Sequence, residues 1–535
     1  MAEVKISKKF FLLNSASSGL MMAANLGVML WLQPFLLARV SPEEYAMIPI
    51  VLSTMAFVPV FTSILTLGLG QFVTVAHSRG EHDRVRSIVS TALPLYALAS
   101  TVLAIIGVVS VIWLPHFVSV PPEHLWKWRW MLGLSWIPPI TGLILAPFQM
   151  GFIITNRLVY GDLVSVACQA VRLVMLVFLM TVMGASVLWV ITAQVASQIL
   201  EQTTQVPFSL KLAPSLRYKK GFFDPAIAKA LLAYGSWALL SNGAQAVKNS
   251  IDPLLLSAVP SWSHAKQSTH ISAFHVGGVA PRQITGLLGI LLRPMIPVMA
   301  ILHGSGNQER CSRFVLKSCR YLGCLAAIMG GVIAVLGTDL MDVYIGNTGV
   351  SNEFLSIASA VVTLLSIALC IQSMLAPVGI YAMASARVKP WGIIQAIIQS
   401  GNILVTATLL FGFGLGAKGS ALGTATYALL LEIPIVFWFI TKAFSISWLS
   451  ACRHVLLPVI GTALCAGGIT AGLHTLIAAD SWIHLLSIGA ITAVVVVAST
   501  YTFVVEADDK IQIKKSIHRG FSLLSARANG NQDKK

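Results

Sequence analysis

The sequence predicts an all-α polytopic membrane protein with about 14 transmembrane helices. Three observations predict it. The 535-residue chain is 56% hydrophobic and only 10% charged, too few charges to cover a soluble surface of this size. Apolar stretches of about 20 residues or more, each long enough to cross a bilayer, recur from Phe10 to Val505. Lys and Arg gather in every second gap between those stretches, as loops on the cytoplasmic side do.

Taken in order, the spans fall near 10–38, 45–75, 88–114, 130–153, 162–184 and 186–208. After a basic connector they continue near 230–258, 270–302, 318–345, 355–384, 391–415, 419–441, 454–477 and 482–505. The first run follows Lys5, Lys8 and Lys9 and is too long for the core of a cleavable signal, so it is expected to remain as a span. On the side predicted to be external, the basic residues are Arg39, Lys127, Arg129, Lys266 and Lys418 alone, while most of the 36 Lys and Arg lie on the other side. Both termini are therefore expected in the cytoplasm, and the formal charge of +16 reflects loop sidedness rather than nucleic-acid binding. Trp113, Trp126, Trp128, Trp130, Trp189, Trp262 and Trp482 fall at external span ends, where interfacial anchors are expected. No cysteine falls on that side, and free thiols are expected.

The chain carries an internal repeat. His77-Ser-Arg-Gly-Glu-His-Asp-Arg84 matches His303-Gly-Ser-Gly-Asn-Gln-Glu-Arg310 in the positions of His, Gly, acid and Arg. Asn156-Arg157 and Gln169 match Ala386-Arg387 and Gln399. The expected organisation is a six-helix lobe over 1–210, a basic connector over 211–229, a second six-helix lobe over 230–445, two further spans over 446–506 and a basic tail over 507–535. Because six is even, the two lobes point the same way through the membrane, with a pathway expected between them. The tail interleaves Lys510, Lys514, Lys515 and Arg519 with Ile511, Ile513, Ile517 and Phe521, which suits either a surface-lying helix or a disordered segment.

No connector has room for a catalytic domain, and no nucleotide-binding, zinc-protease or paired-cysteine motif occurs, so neither an enzyme nor an ATP-driven pump is expected. No cofactor or metal is expected either. What remains informative is the set of polar groups inside spans, which are costly and by default face a cavity or a partner. In the seventh span, Asn242, Gln245, Lys248, Asn249 and Asp252 share one helical face. In the eighth, His275, Arg282 and Arg293 return to nearly one face, and Arg282 shares the depth of Lys248. Two such cations would hold an anion, and the planar donors of Arg suit phosphate. Lys248 either serves that purpose or pairs with Asp252 one turn on. Arg293, beside Pro294 and Pro297, either satisfies a broken helix or reaches the interface. His275 reads as a buried hydrogen-bonding residue or a proton relay, and Asp252 as a coupling site. Arg172 reads as a strut between helices, and Glu432 as an interfacial acid or a coupling site. Asn14, Ser17, Ser18 and Asn25 make the first span a lining candidate.

The stretch Val40-Ser-Pro-Glu-Glu-Tyr45, the segment Leu67-Gly-Leu-Gly70, the basic loop Arg79 to Arg86 and Lys418-Gly-Ser-Ala-Leu-Gly-Thr-Ala425 resemble Wzx-type polysaccharide flippases. Those proteins belong to the MOP superfamily, with MATE exporters and lipid II flippases. The resemblance implies a V-shaped pair of MATE-like lobes plus two extra spans, with spans one, two, seven and eight lining a cationic lumen. It implies export of undecaprenyl-diphosphate-linked oligosaccharide by alternating access at a bacterial inner membrane, for exopolysaccharide, O-antigen or lipopolysaccharide assembly. Lys248, Arg282, Arg293, Asn242, Gln245 and Asn249 would be the substrate set, with Asp252 and His275 available for coupling. The expected partners are the lipid-linked oligosaccharide, membrane lipids, and the polymerase and chain-length regulator of a polysaccharide machine. The chain departs from the pattern in one respect: spans one and two carry no basic residue in mid-membrane. The competing expectations are a proton- or sodium-coupled MATE-like exporter of organic cations, which would favour acids in the cavity, and a non-transporting scaffold.

Overall fold

The computed structural model describes residues 8–118, 122–260, 262–292, 295–304, 308–385, 387–444, 446–507 and 509–511. Among them there is no β-strand. The first lobe holds α1 (Lys8–Leu37), α2 (Pro42–Met55), α3 (Val58–Ser78), α4 (His82–Trp113), α5 (Leu125–Gln149), α6 (Gly151–Ile154), α7 (Leu158–Val182) and α8 (Val187–Leu212). The second holds α9 (Pro225–Ser257), α10 (His264–Gly277), α11 (Val279–Leu292), α12 (Met295–Gly304), α13 (Gln308–Ile345), α14 (Asn352–Ala384), α15 (Val388–Ala407), α16 (Gly416–Tyr427) and α17 (Ile433–Phe444). The chain ends in α18 (Trp448–Ala451), α19 (Leu457–His474) and α20 (Trp482–Phe503). Single π-helical turns over Thr408–Gly412, Ala428–Glu432 and Cys452–Leu456 continue α15, join α16 to α17 and join α18 to α19.

Among the described residues, 11 helical segments are long and apolar enough to cross a membrane. The other three expected spans are α8, α9 and the α10–α12 group. α8 has 26 residues and α9 has 33, which at 1.5 Å per residue exceeds a hydrocarbon core of about 30 Å.

Two expected spans, 45–75 and 270–302, are not continuous helices. The second is interrupted between α2 and α3, the eighth between α10 and α11. In each case a proline, Pro59 or Pro281, lies in the first turn after the break, where its missing N–H and its ring deny the preceding turn its hydrogen bond. The two half-helices match in their starts as well. Ser41 (φ −67°, ψ 155°) accepts from the Glu44 amide at 3.2 Å, and Ser263 (φ −66°, ψ 155°) from the Lys266 amide at 3.3 Å. α2 and α10 pack against each other, and Ser272 Oγ donates to the Pro42 carbonyl at 3.1 Å.

We call the side predicted cytoplasmic "inner" and the other "outer". The largest buried apolar cluster joins the outer halves of both lobes, with Leu36, Tyr45 and Trp128 from the first and Phe274, Phe354 and Val361 from the second. The inner half of the second lobe has a cluster of its own, around Tyr381, Trp391 and Phe437. Across the inner halves, α3 lies along α9. A Cβ added at Gly68 would sit 3.1 Å from the Leu231 carbonyl, and one at Gly243 would sit 3.6 Å from Val60. α1 meets α11 over a shorter seam, near Met22 and Gly286.

Residues between α8 and α9 are stitched to α4: Ser87 Oγ donates to the Phe222 carbonyl at 2.9 Å, and the Asp224 amide to Thr91 Oγ1 at 2.9 Å. The last helices dock on α13. Lys317 pairs with Glu506 at 2.6 Å and Asp509 at 3.1 Å, and Arg320 with Glu506 at 2.6 Å. Asp509 is therefore an ion-pair partner of α13. The tail from residue 512 onward lies outside the described residues. Trp128 is fully buried, so it packs the core and is not one of the interfacial anchors, whereas Trp113, Trp126, Trp130 and Trp482 are exposed.

Candidate functional site

The break between α10 and α11 organises the polar groups at the seam between the lobes. A helix interrupted by Pro281 loses ladder bonds, and the carbonyl of His275 instead accepts from Nη2 of Arg282. Arg282 reaches it by folding back over Gly278. A Cβ there would collide with the guanidinium, its Cζ lying 2.9 Å away. At this break Arg282 satisfies the helix, because its arm returns along the helix just far enough to meet the freed carbonyl.

The guanidinium then sits among groups from several helices. Tyr45 of α2 and Asp252 of α9 are both within its electrostatic reach. The Tyr45 ring lies 6.2 Å from the His275 ring, and the Tyr45 hydroxyl donates to Gln33 Oε1 of α1. Asp252, buried, accepts from Ser420 Oγ of α16 at 2.6 Å. Tyr344, at the outer end of α13, presents a buried hydroxyl with no partner among the described residues. Arg282 itself keeps some exposed surface amid these buried neighbours, although enough protein surrounds its guanidinium to desolvate it.

This geometry moves the charge outward. Asp252 lies five residues, about 8 Å, from the outer end of α9. Arg282 points back toward that level, so its charge is nearer the outer closure than its backbone position suggests. Asp252 is met by Ser420 and Arg282. The side chains of Asn242, Gln245, Lys248 and Asn249, and all of Arg293, lie outside the described residues.

The first span contributes differently from expectation. Ser17 Oγ donates to Asp162 at 2.6 Å, and Asn25 Oδ1 accepts from Gln169 at 2.8 Å, both on α7 of the same lobe. Their common face is turned into the lobe and not toward the seam. Asn14 and Ser18 have side chains outside the described set. Arg172, buried, donates to Gln194 of α8 at 3.1 Å and to Gln169 at 3.5 Å, and so ties α7 to α8. Nearby, Ser165 donates to Glu201 at 2.5 Å. Glu432 is buried in the π turn before α17. Sequence reasoning missed Gln33, Tyr45, Tyr344 and Ser420. Tyr45 and Ser420 stood inside quoted motifs, yet nothing local says that they converge.

The order of helices, the pair of broken ones facing each other and the two added C-terminal helices can be set against known structures. The inward closed conformation of the lipid II flippase MurJ superposes with a TM-score of 0.65 over 92% of this chain and 99% of that one, at 13% identity. An inward-facing multidrug resistance MATE family transporter of the MOP superfamily superposes with a TM-score of 0.61 over 80% of this chain and 96% of that one, at 14% identity. The chain has the MOP fold. In sequence it is similar to the uncharacterized membrane protein EpsK of Bacillus subtilis (strain 168), 19% identical over 463 residues, 86% of this chain and 88% of the relative. No protein-family profile matches it. In this fold the Arg282 cluster lies beside the contact between the two broken helices, α2 and α10.

Proposed function

We propose that this protein is a flippase that moves a lipid-linked oligosaccharide from the inner to the outer leaflet of a bacterial membrane for surface polysaccharide assembly. The observation that carries the reading is Arg282, a cation held beside the break at the junction of the two lobes. Lys248 and Arg282 would hold the diphosphate, and the amide side chains of α9 would meet sugar hydroxyls. The short α1–α11 seam, against the long α3–α9 seam, supports an exit for the lipid tail on the α1 side. Likeness in fold to a lipid II flippase supports the same class of substrate.

The energetics agree. Moving one charge across the membrane is worth about 2.3 kcal/mol per 100 mV. The cell interior is negative, so two negative charges travelling outward gain about 4–5 kcal/mol per 100 mV without a nucleotide. Asp252 is then available for a coupling ion. A double variant Lys248→Ala with Arg282→Ala tests the reading. In spheroplasts, an impermeant lectin should find little oligosaccharide on the outer leaflet when the variant is expressed at wild-type level. Unchanged labelling would remove the site assignment.

The second reading, a MATE-like cation exporter, is favoured by the likeness to MATE transporters and by the buried acids Asp252 and Glu432. Proton- or sodium-dependent efflux of a cationic dye from reconstituted vesicles would select it.

A further inference from the structure

Away from the seam, the outer halves of α4 and α5 enclose a groove of about 720 Å³ on the outer surface of the first lobe, a volume within the range of about 300–1,000 Å³ typical of small-ligand sites. Its lining is mostly apolar, with Val108, Gly133 and Trp136 among its residues. The Trp136 wall is fixed. Trp136 is buried against Gly107, where an added Cβ would sit 2.9 Å from its Cγ, and its Nε1 donates to Ser110 Oγ at 2.9 Å. The rim carries Trp126, Arg129 and Trp130, all exposed.

Arg129 is unlike the other basic residues of the outer side. Arg39 donates to the Phe35 carbonyl at 3.1 Å and stacks on its ring, and Lys127 pairs with Glu44 at 3.0 Å. Lys266 lies over Trp262, and Lys418 donates to Ser356 at 3.0 Å. Among the described residues Arg129 has no partner, Glu123 on the preceding turn included. A free guanidinium between two interfacial tryptophans, above an apolar slot, has the chemistry of a headgroup-and-chain site.

We propose that this groove holds one anionic phospholipid of the outer leaflet, an acyl chain in the slot and the phosphate on Arg129. The lipid would be a resident of the first lobe, separate from the transport route. One basic residue near an anionic headgroup is worth about fivefold in affinity. Gly133 is a clean place to block the slot, because a Cβ there meets only Val111, at 3.8 Å.

Native mass spectrometry of the full chain in detergent, titrated with phosphatidylglycerol and phosphatidylcholine of identical chains, tests the proposal. Wild-type protein and Arg129→Lys should favour phosphatidylglycerol about fivefold. Arg129→Gln should bind the two alike, and Gly133→Leu should lose the first adduct of both. Equal binding by wild type would overturn the headgroup assignment, and undiminished binding by a folded Gly133→Leu would overturn the groove. Displacement of phosphatidylglycerol by a polyprenyl diphosphate at equal concentration would overturn the occupant. Because Arg129 is at the surface, its two variants keep the test decisive if Gly133→Leu fails to fold.

Discussion

Gly278→Ala isolates the fold-back of Arg282 from every other property of the site. Gly278 has φ −78° and ψ −6°, a backbone that alanine adopts without strain, so only the added methyl acts. That methyl would lie 2.9 Å from Arg282 Cζ and 3.1 Å from the Phe274 carbonyl. The carbonyl belongs to the helix and cannot give, so the guanidinium must leave. Leaving breaks its hydrogen bond to the His275 carbonyl, a charge-assisted bond worth about 1.5–3 kcal/mol. Replacing glycine restores about 0.4–1 kcal/mol through the unfolded chain. The net cost to folding is about 1–2 kcal/mol, while a rate or affinity of the folded protein, which the unfolded chain does not enter, reads the lost bond itself, roughly tenfold or more.

A double-mutant cycle supplies the assay. Transport by reconstituted protein, or outer-leaflet appearance of the glycan in cells, is measured for wild type, Gly278→Ala, Arg282→Ala and the pair. If the methyl acts by evicting Arg282, the pair is no worse than Arg282→Ala alone, and the coupling energy is about 1.5–3 kcal/mol. Strict additivity would refute the reasoning. So would wild-type transport by Gly278→Ala alongside an inactive Arg282→Ala, since the position of the guanidinium would then be irrelevant.

Three further outcomes follow from the same contacts. Asp252→Asn keeps an acceptor for Ser420 while Asp252→Ala removes it, so Asn should fold like wild type in a detergent melt yet lose any dependence of transport on proton or sodium; retained dependence would exclude Asp252 from coupling. Arg172→Met takes a donor from the half-buried Gln194 and Gln169 side chains and should cost about 1 kcal/mol or more of stability, seen as a lower unfolding midpoint, with residual transport following the amount of folded protein. At the inner surface, burial pushes the Glu506 and Asp509 carboxyls up, but the hydrogen bonds from Lys317 and Arg320 to Glu506, and from Tyr321 and Lys317 to Asp509, outweigh it and leave both pKa values below their ordinary range. A lowered carboxyl pKa stabilises the fold above the unfolded value and loses that contribution as pH falls through the folded one. Docking of α20 on α13 should therefore weaken only in acid below the ordinary carboxylate range, and Glu506→Gln should remove that part of the pH dependence in a melt monitored at pH 3 to 7.

The spans were legible because bilayer thickness imposes a length on each apolar run, and loop charge imposes a side. The breaks were legible in principle. Ser41 and Pro59 recur as Ser263 and Pro281 at the same interval, a better signature of the repeat than the polar loop at His77. Periodicity grouped Asn14 and Asn25, with Ser17 and Ser18, as a lining set but carried no information on where that set points, and α7 claimed Ser17 and Asn25. Arg282 looked unpartnered because its partners are a backbone carbonyl exposed by a break and an acid on another helix. Both are consequences of tertiary structure, and no spacing rule within one helix encodes them.

The placement of the cluster bears on how the lobes could exchange sides. The apolar core that joins the outer halves continues through Leu69, Val73 and Val85 of the first lobe to Leu231 of α9, and the inner halves meet along α3 and α9. Besides that core, the outer junction carries the Ser272–Pro42 hydrogen bond and the Tyr45–His275 contact. Arg282 stands beside that contact and is held by a carbonyl that any anionic oxygen can replace. On the proposed reading, a diphosphate arriving from the inner side would compete with the His275 carbonyl for the guanidinium. Substrate binding would then loosen the α10 end of the junction at the point where it meets α2. A ligand shifts a two-state equilibrium only by its difference in affinity for the two states, and here that difference has a named source: the carbonyl that Arg282 must release.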